Sequence, residues 1–429
     1  MIGELVVLFG VLLAALFVGV PVFLSMGLAA TAYTIVFWPK VPVDIVAQGF
    51  VQGLDNYDFA AIVFFFLVGE IMNQGGISRR LLRFARALVG HVRGGLSHVN
   101  ILASMVFAGV SGSAAADAAA IGSVMIPAMK KEGYPAGYAA AVTAASATIG
   151  PVIPPSIPLV VFGLFALTSI GKLFLGGVVP GLLMGVFLLI ASYVISRRRG
   201  YPASPWAGGR ELASAAADAI LALVMPLLVV IGLVGGIATV TEIGAIATIY
   251  AVLVSVLVYR ELSPAGLWRA LIKAGIDAAK VLAIISIAGL FVWIVANMGL
   301  ARALSGWISG LTSDPLWVLA IFALVLLAVG TILEPVTILV VIVPLMIPTA
   351  RTVGIDLTQF GVVAVLATLI GLVTPPVGFL IYLSAAQAEA NVLDVVREMA
   401  PFILALILLL AAIVLFPPLT TFLPNLLLG

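Results

Sequence analysis

The chain has 429 residues, of which 63% are hydrophobic and only 9% charged, and its formal net charge is +2. A soluble domain needs a much denser cover of charge, and so small a net charge offers nucleic acid nothing to bind. With no cysteine, disulfides, thiolate metal sites and cysteine nucleophiles are excluded, and the two histidines, His91 and His98, lie close together in what reads as one polar connector.

In chain order, residues 1–20 carry Glu4 and no basic residue, unlike the positively charged start of a cleaved signal, and read as a retained span. Apolar runs bounded by Gly, Pro or charge predict crossings at 2–20, 22–38, 58–74, 137–167 and 171–195, then at 221–237, 242–259, 279–298, 357–385 and 400–421. Strand alternation is absent, so these are helices and the chain is an all-α membrane protein with five crossings per half. Arg79, Arg80, Arg83 and Arg86 interleave with Leu81, Leu82, Phe84 and Leu88, the pattern of an amphipathic helix lying on the bilayer and anchored to lipid. Residues 196–220, opening on Arg197, Arg198 and Arg199, read as a linker between halves spanning 1–195 and 221–429.

Two apolar stretches, near 97–129 and 315–350, are too short for two spans of about 20 residues and a turn. Each has a helix-breaking centre: Gly109, Ser111, Gly112 and Ser113 in the first, Gly330 and Pro335 in the second. They read as re-entrant hairpins, entering and leaving on one side; a single kinked span is the alternative. This layout puts sixteen of the twenty Lys and Arg on one side and only Lys40, Lys172, Arg302 and Arg351 on the other. The basic side is then cytoplasmic and both termini periplasmic.

At an offset of 221 residues, 109–159 matches 330–380 without gaps at thirteen identical positions. Met125-Ile126-Pro127 falls on Met346-Ile347-Pro348, Gly133 on Gly354, Gly150 on Gly371, and Pro154-Pro155 on Pro375-Pro376. Helix breakers do not align by apolar composition alone. An odd number of crossings per copy inverts the second copy relative to the first, the design of secondary transporters whose interrupted helices meet near the midplane.

Each copy therefore offers a hairpin tip and a break within the later span, at 150–155 and 371–376. Proline removes an amide donor and frees a carbonyl, so helix ends and oxygens are exposed there. Oxygens suit a hard cation, and helix N-termini suit an anion. One cation site is expected among Ser111, Gly112, Ser113, Gly150 and Pro154, and a second among Gly330, Glu334, Gly371 and Thr374. Ser113, Ser156, Thr337 and Thr374 are the hydroxyls available to a substrate carboxylate, although small serines also serve plain helix packing. Acids at membrane depth are costly and point to function. Asp117 and Glu334 qualify; Glu70, near the end of its span, more readily serves an interfacial structural role. No catalytic dyad and no phosphate-binding Walker loop is legible, so neither an enzyme nor an ATP-driven pump is indicated.

The stretches GVSGSAAADAAAIGSVMIPAMKKEGY (109–134) and ASATIGPVIPPSIPLVVFG (145–163), with GEIMNQGGISRRL (69–81) and TPPVGFLIYL (374–383), closely resemble the large membrane subunit of tripartite ATP-independent periplasmic (TRAP) transporters, the DctM-like family. The resemblance covers essentially the whole chain. It implies an ion-transporter-superfamily fold of elevator type in the bacterial inner membrane, and sodium-coupled import of a small carboxylate such as a dicarboxylate or sugar acid. It also implies two partners, a small four-helix membrane subunit and a soluble periplasmic substrate-binding protein, with sodium as the only cofactor. A stand-alone sodium/anion symporter and, further off, a channel are the alternatives.

Overall fold

A computed structural model describes residues 2–39 and 44–429; Lys40 of the sidedness count lies outside them. Among the described residues the regular structure is helical throughout. Helices α1 (Ile2–Phe17) and α2 (Val22–Phe37) pack as a pair and are followed by α3 (Asp44–Gln52). A 3-10 turn at Tyr57–Phe59, capped by Asn56, leads into α4 (Ala60–Gln74), and α5 is Ile77–Val89. Then come α6 (Gly95–Ser111), α7 (Ala114–Lys131), α8 (Ala136–Ala147), α9 (Ile157–Ala166) and α10 (Ile170–Arg199). The second half runs through α11 (Gly209–Val234), α12 (Val240–Leu253), α13 (Pro264–Asn297), α14 (Leu300–Leu311), α15 (Pro315–Gly330), α16 (Pro335–Val341) and α17 (Val343–Thr352). It closes with α18 (Leu357–Gly371), α19 (Phe379–Ala388), α20 (Val392–Leu415) and α21 (Pro418–Leu428).

Six helical stretches among the described residues are long and apolar enough to cross a membrane: Tyr57–Gln74, α10, α11, Val240–Val258, α13 and α20. The bent pair α16–α17 makes a seventh if taken as one span. The crossings expected at 137–167 and 357–385 are each divided into two helices, α8 with α9 and α18 with α19, interrupted over 148–156 and 372–378 where breaks were expected. Helices α1 and α2, 16 residues each, reach only about 24 Å at 1.5 Å per residue. Large apolar side chains such as Ile190, Leu227, Ile231, Ile249, Leu324 and Leu404 stand exposed on the outside of the bundle, as lipid requires.

Several boundaries depart from the sequence reading for physical reasons. Only 200–208 of the expected linker is non-helical. Arg197, Arg198 and Arg199 extend α10 by placing positive charge at its negative end, and Gly200, at φ +67°, stops it. Helix α13 starts at Pro264, well before residue 279, because Ser263 caps Gly266 N–H at 3.1 Å and Pro occupies the first turn, where its missing donor costs nothing. The second hairpin carries a bend of 56° between α16 and α17 that the first lacks. Pro344, aligned with Ser123, removes the amide that would have continued α16. His98 is not in a connector but buried in α6, its Nδ1 2.9 Å from the Gly94 carbonyl.

The amphipathic helix α5 spends its arginines on protein rather than on lipid. Arg79 and Arg80 pair with Glu261, Arg80 lies 3.8 Å over the Tyr259 ring, and Arg86 is 3.8 Å from Glu132. Arg83 binds Glu211 at 2.9 Å and also Asp218, both on α11. The hydrogen bond to Glu211 raises the Arg83 guanidinium above its already high ordinary value.

Candidate functional site

Helices α6 and α7 are joined by Gly112 and Ser113 alone and lie against each other. Gly112 adopts φ +60°, a left-handed turn that glycine takes without strain, and a Cβ there would stand 2.8 Å from the Pro155 carbonyl. The tip therefore rests directly on the break between α8 and α9. Ser111 ends α6 and donates to Asp117 Oδ1, and the Ser113 amide lies 3.3 Å from Ser111 Oγ. Ser113 Oγ accepts from the Ala116 amide at 3.4 Å and caps α7. Asp117 is fully buried, and its Oδ2 has no hydrogen-bond partner among the described residues. Gly150 abuts that oxygen so closely that a Cβ at 150 would run into it. Pro154 and Pro155, joined by a cis bond, are buried in the break. Ser111, Gly112, Ser113, Asp117, Gly150 and Pro154 thus meet in one place.

Ser156 belongs to the same break but is used locally. It is fully buried, caps Leu159 N–H at 3.2 Å and donates to the Pro151 carbonyl. The first hairpin is held to α8 by a buried polar network that the sequence reading passed over. Asn100 Nδ2 donates to Thr143 Oγ1 at 2.7 Å, Ser104 Oγ to Ser146 Oγ at 2.9 Å, and Ser146 Oγ lies 3.2 Å from Asn100 Oδ1. Polar side chains a turn apart in otherwise apolar runs were its visible signal.

At the second tip, α15 ends on Gly330 and α16 begins at Pro335, with Glu334 as its first flanking residue. Gly330 and Gly371 touch backbone to backbone: a Cβ at 371 would collide with Gly330, and one at 330 would sit 2.8 Å from the Thr368 carbonyl. The Gly378 amide donates to the Thr331 carbonyl at 3.0 Å, tying tip to break. Thr374 Oγ1 donates to Ile370 O at 2.7 Å, while Thr337 Oγ1 is buried without a partner among the described residues. Pro375 and Pro376 are likewise cis. Glu334 is exposed and forms no cap bond, so the first place has a buried acid and the second an exposed one. Gly330 and Gly371 are thus brought together; Glu334 and Thr337 follow Gly330 along the chain into α16, and Thr374 follows Gly371 into the break.

Glu70 lies apart from both places. Its carboxylate is 2.7 Å from Lys273 Nζ on α13 and accepts from Gln74 at 2.9 Å, a tie between α4 and α13. The two tip-and-break places are also interleaved across the halves: α16 packs on α9, and α19 packs on α7.

A chain built of broken helices in an apolar bundle matches one family over nearly all its length. Residues 9–419 fit the family described as the tripartite ATP-independent periplasmic transporter, DctM component. The chain belongs to the DctM family. It is 38% identical over 417 residues to the sialic acid TRAP transporter large permease protein SiaM of Vibrio cholerae, covering 97% of each chain. It is 35% identical over 401 residues to the C4-dicarboxylate TRAP transporter large permease protein DctM of Pseudomonas aeruginosa, covering 94% of each. Among solved structures it resembles the YdaH transporter of Alcanivorax borkumensis, described as having an unusual topology, with a TM-score of 0.59 over 86% of each chain at 16% identity. That likeness concerns the fold alone. The DctM relatives are named as transporter permeases, and this member of the family is not an enzyme.

Proposed function

We propose that this chain is the translocating subunit of a TRAP system in a bacterial inner membrane, importing a small organic carboxylate together with sodium. The observation that carries the reading is Asp117: a fully buried carboxylate with one oxygen unpartnered among the described residues, set against the Gly150 backbone at the junction of a hairpin tip and a helix break. A buried charge without a partner is costly, and a cation relieves that cost. Ser111, Asp117 and the backbone around Gly112 and Gly150 would hold one sodium ion; Thr337, Thr374, Glu334 and the backbone around Gly330 and Gly371 would hold a second. Substrate sits between the two, its carboxylate met by helix ends and hydroxyls, Ser113 foremost. The relatives named for sialic acid and C4-dicarboxylates support a carboxylate cargo.

The halves 1–195 and 221–429 act as oppositely directed copies, with both termini periplasmic and each hairpin entering and leaving on its own side. Support comes from α10 and α20, which pack together while Arg199 at the end of α10 bonds Glu398 near the start of α20 at 2.9 Å, so these equivalent helices run in opposite senses. Tips and post-break helices move together as an elevator, and the small membrane subunit and the periplasmic binding protein complete the system. Sodium supplies the drive. An anion entering a negative cytoplasm is opposed by about 2.3 kcal/mol per charge at 100 mV, and two co-transported sodium ions outweigh the charge of a monoanion.

Uptake in proteoliposomes with the small subunit and binding protein tests the reading. A sodium gradient should drive accumulation, and Asp117→Asn should raise the sodium concentration needed by about tenfold, the loss expected for a hydrogen-bonded or paired charge. Uptake indifferent to sodium, or unchanged sodium dependence in Asp117→Asn, Ser113→Ala and Glu334→Ala together, removes the assignment.

A further inference from the structure

Two basic residues at equivalent places in the repeat, Lys130 and Arg351, do the same thing across the halves. Each occupies the last turn of its hairpin's outgoing helix, α7 and α17 respectively, and they are 221 residues apart, the repeat offset. Lys130 Nζ donates to the carbonyl of Ala388 at 2.9 Å, and Arg351 Nη2 donates to the carbonyl of Ala166 at 2.8 Å. Ala388 is the last residue of α19 and Ala166 the last of α9, both post-break helices of 10 residues. Each is followed by a non-glycine residue in the left-handed region, Glu389 at φ +53° and Leu167 at φ +49°. A helix ending this way leaves orphan carbonyls and a negative pole, and a cation reaching it satisfies both. Lys130 also lies 3.7 Å from Glu389.

The two contacts stand at opposite ends of α10. Helix α10 begins four residues after Ala166, and its far end binds Glu398 in the helix that follows Ala388. Thirty residues separate them along that helix, about 45 Å. One hairpin is therefore fastened at one end of the bundle and the other at the opposite end, each to a post-break helix of the other half.

We propose that Lys130 and Arg351 are paired latches. They make the two hairpins and the two post-break helices one interlocked body, so that the two ion sites are carried together and ion movement without cargo is suppressed. This rests on the sodium-coupled reading above. Both are positioning residues, since neither reaches a tip.

The absence of cysteine makes the test direct. In membranes, cysteine pairs that leave both latches in place, Lys131→Cys with Glu389→Cys and Thr352→Cys with Leu167→Cys, should be bridged by a short bis-maleimide to the same extent with or without sodium. Bridging that depends on sodium shows a latch that opens and overturns the proposal. In proteoliposomes carrying both partners, the bridged proteins should keep sodium-driven uptake; arrest on bridging overturns it. Lys130→Met and Arg351→Met should raise sodium entry without substrate by about tenfold, the scale of a lost hydrogen bond to a charged group. Lys130→Arg and Arg351→Lys should restore tight coupling, which a merely destabilised fold would not track. An unaltered sodium-to-substrate ratio in both Met variants contradicts the latch. Absence of sodium-driven uptake in the unsubstituted protein would instead remove the transport reading, leaving the bridging result to judge the latch alone.

Discussion

Glycines stand where tip meets break because backbone has to touch backbone there. Gly330 and Gly371 leave no room for a methyl group on either side, so Gly371→Ala must push the second tip away from its break. Overpacking of this kind costs about 1–3 kcal/mol. Thermal unfolding in detergent should show Gly371→Ala destabilised, while Gly275→Ala, in the interior of α13 where a Cβ meets nothing within 4 Å, should unfold at or above the temperature of the parent. Asp117 differs: one carboxylate oxygen accepts from Ser111 and the other has no partner among the described residues. Ser156 and Thr374, both expected to face substrate, spend their hydroxyls on nearby backbone carbonyls. A hydroxyl beside a helix break competes for the carbonyls the break has freed. Composition alone does not say which side wins.

Among elements, the interruptions were legible because Gly and Pro act through local backbone rules. Gly112, Pro154-Pro155 and Pro375-Pro376 fall where helices end or have ended. The bend at Ile342 was legible in principle from Pro344, a proline the first copy lacks, having Ser123 at the aligned position. The acidic partners of α5 were not legible. Arg83 finds Glu211 and Asp218 more than a hundred residues away, and spacing within α5 describes an amphipathic face without saying whether lipid or protein covers it. These pairs are about 40% exposed, so each contributes little. Arg83→Ala should therefore leave the global unfolding free energy nearly unchanged. Amide exchange should nevertheless quicken along α5 relative to α4; unchanged exchange in α5 would mean that its buried face, Ile77, Leu81 and Ala85, holds it alone.

At the scale of the molecule, the repeat was visible in thirteen aligned residues, but the way the copies interlock was not. Contacts such as Lys130 to Ala388 and Arg351 to Ala166 join backbone carbonyls to bases far along the chain, and a carbonyl has no signature in sequence. The polar network of Asn100, Ser104, Thr143 and Ser146 has no counterpart in the second copy, where the aligned residues are Ile321, Val325, Ala364 and Ala367. The copies share their breaks and differ in what glues them, as expected if the breaks carry the function and the packing has diverged around them.

Opposed orientation of the two copies underlies everything proposed here, and it can be read with single cysteines in this cysteine-free chain. Lys131 and Thr352, both exposed and equivalent by the repeat, close α7 and α17. In spheroplasts, a membrane-impermeant maleimide should label Thr352→Cys from outside and reach Lys131→Cys only after the membrane is opened. Equal labelling of both from one side would contradict the account.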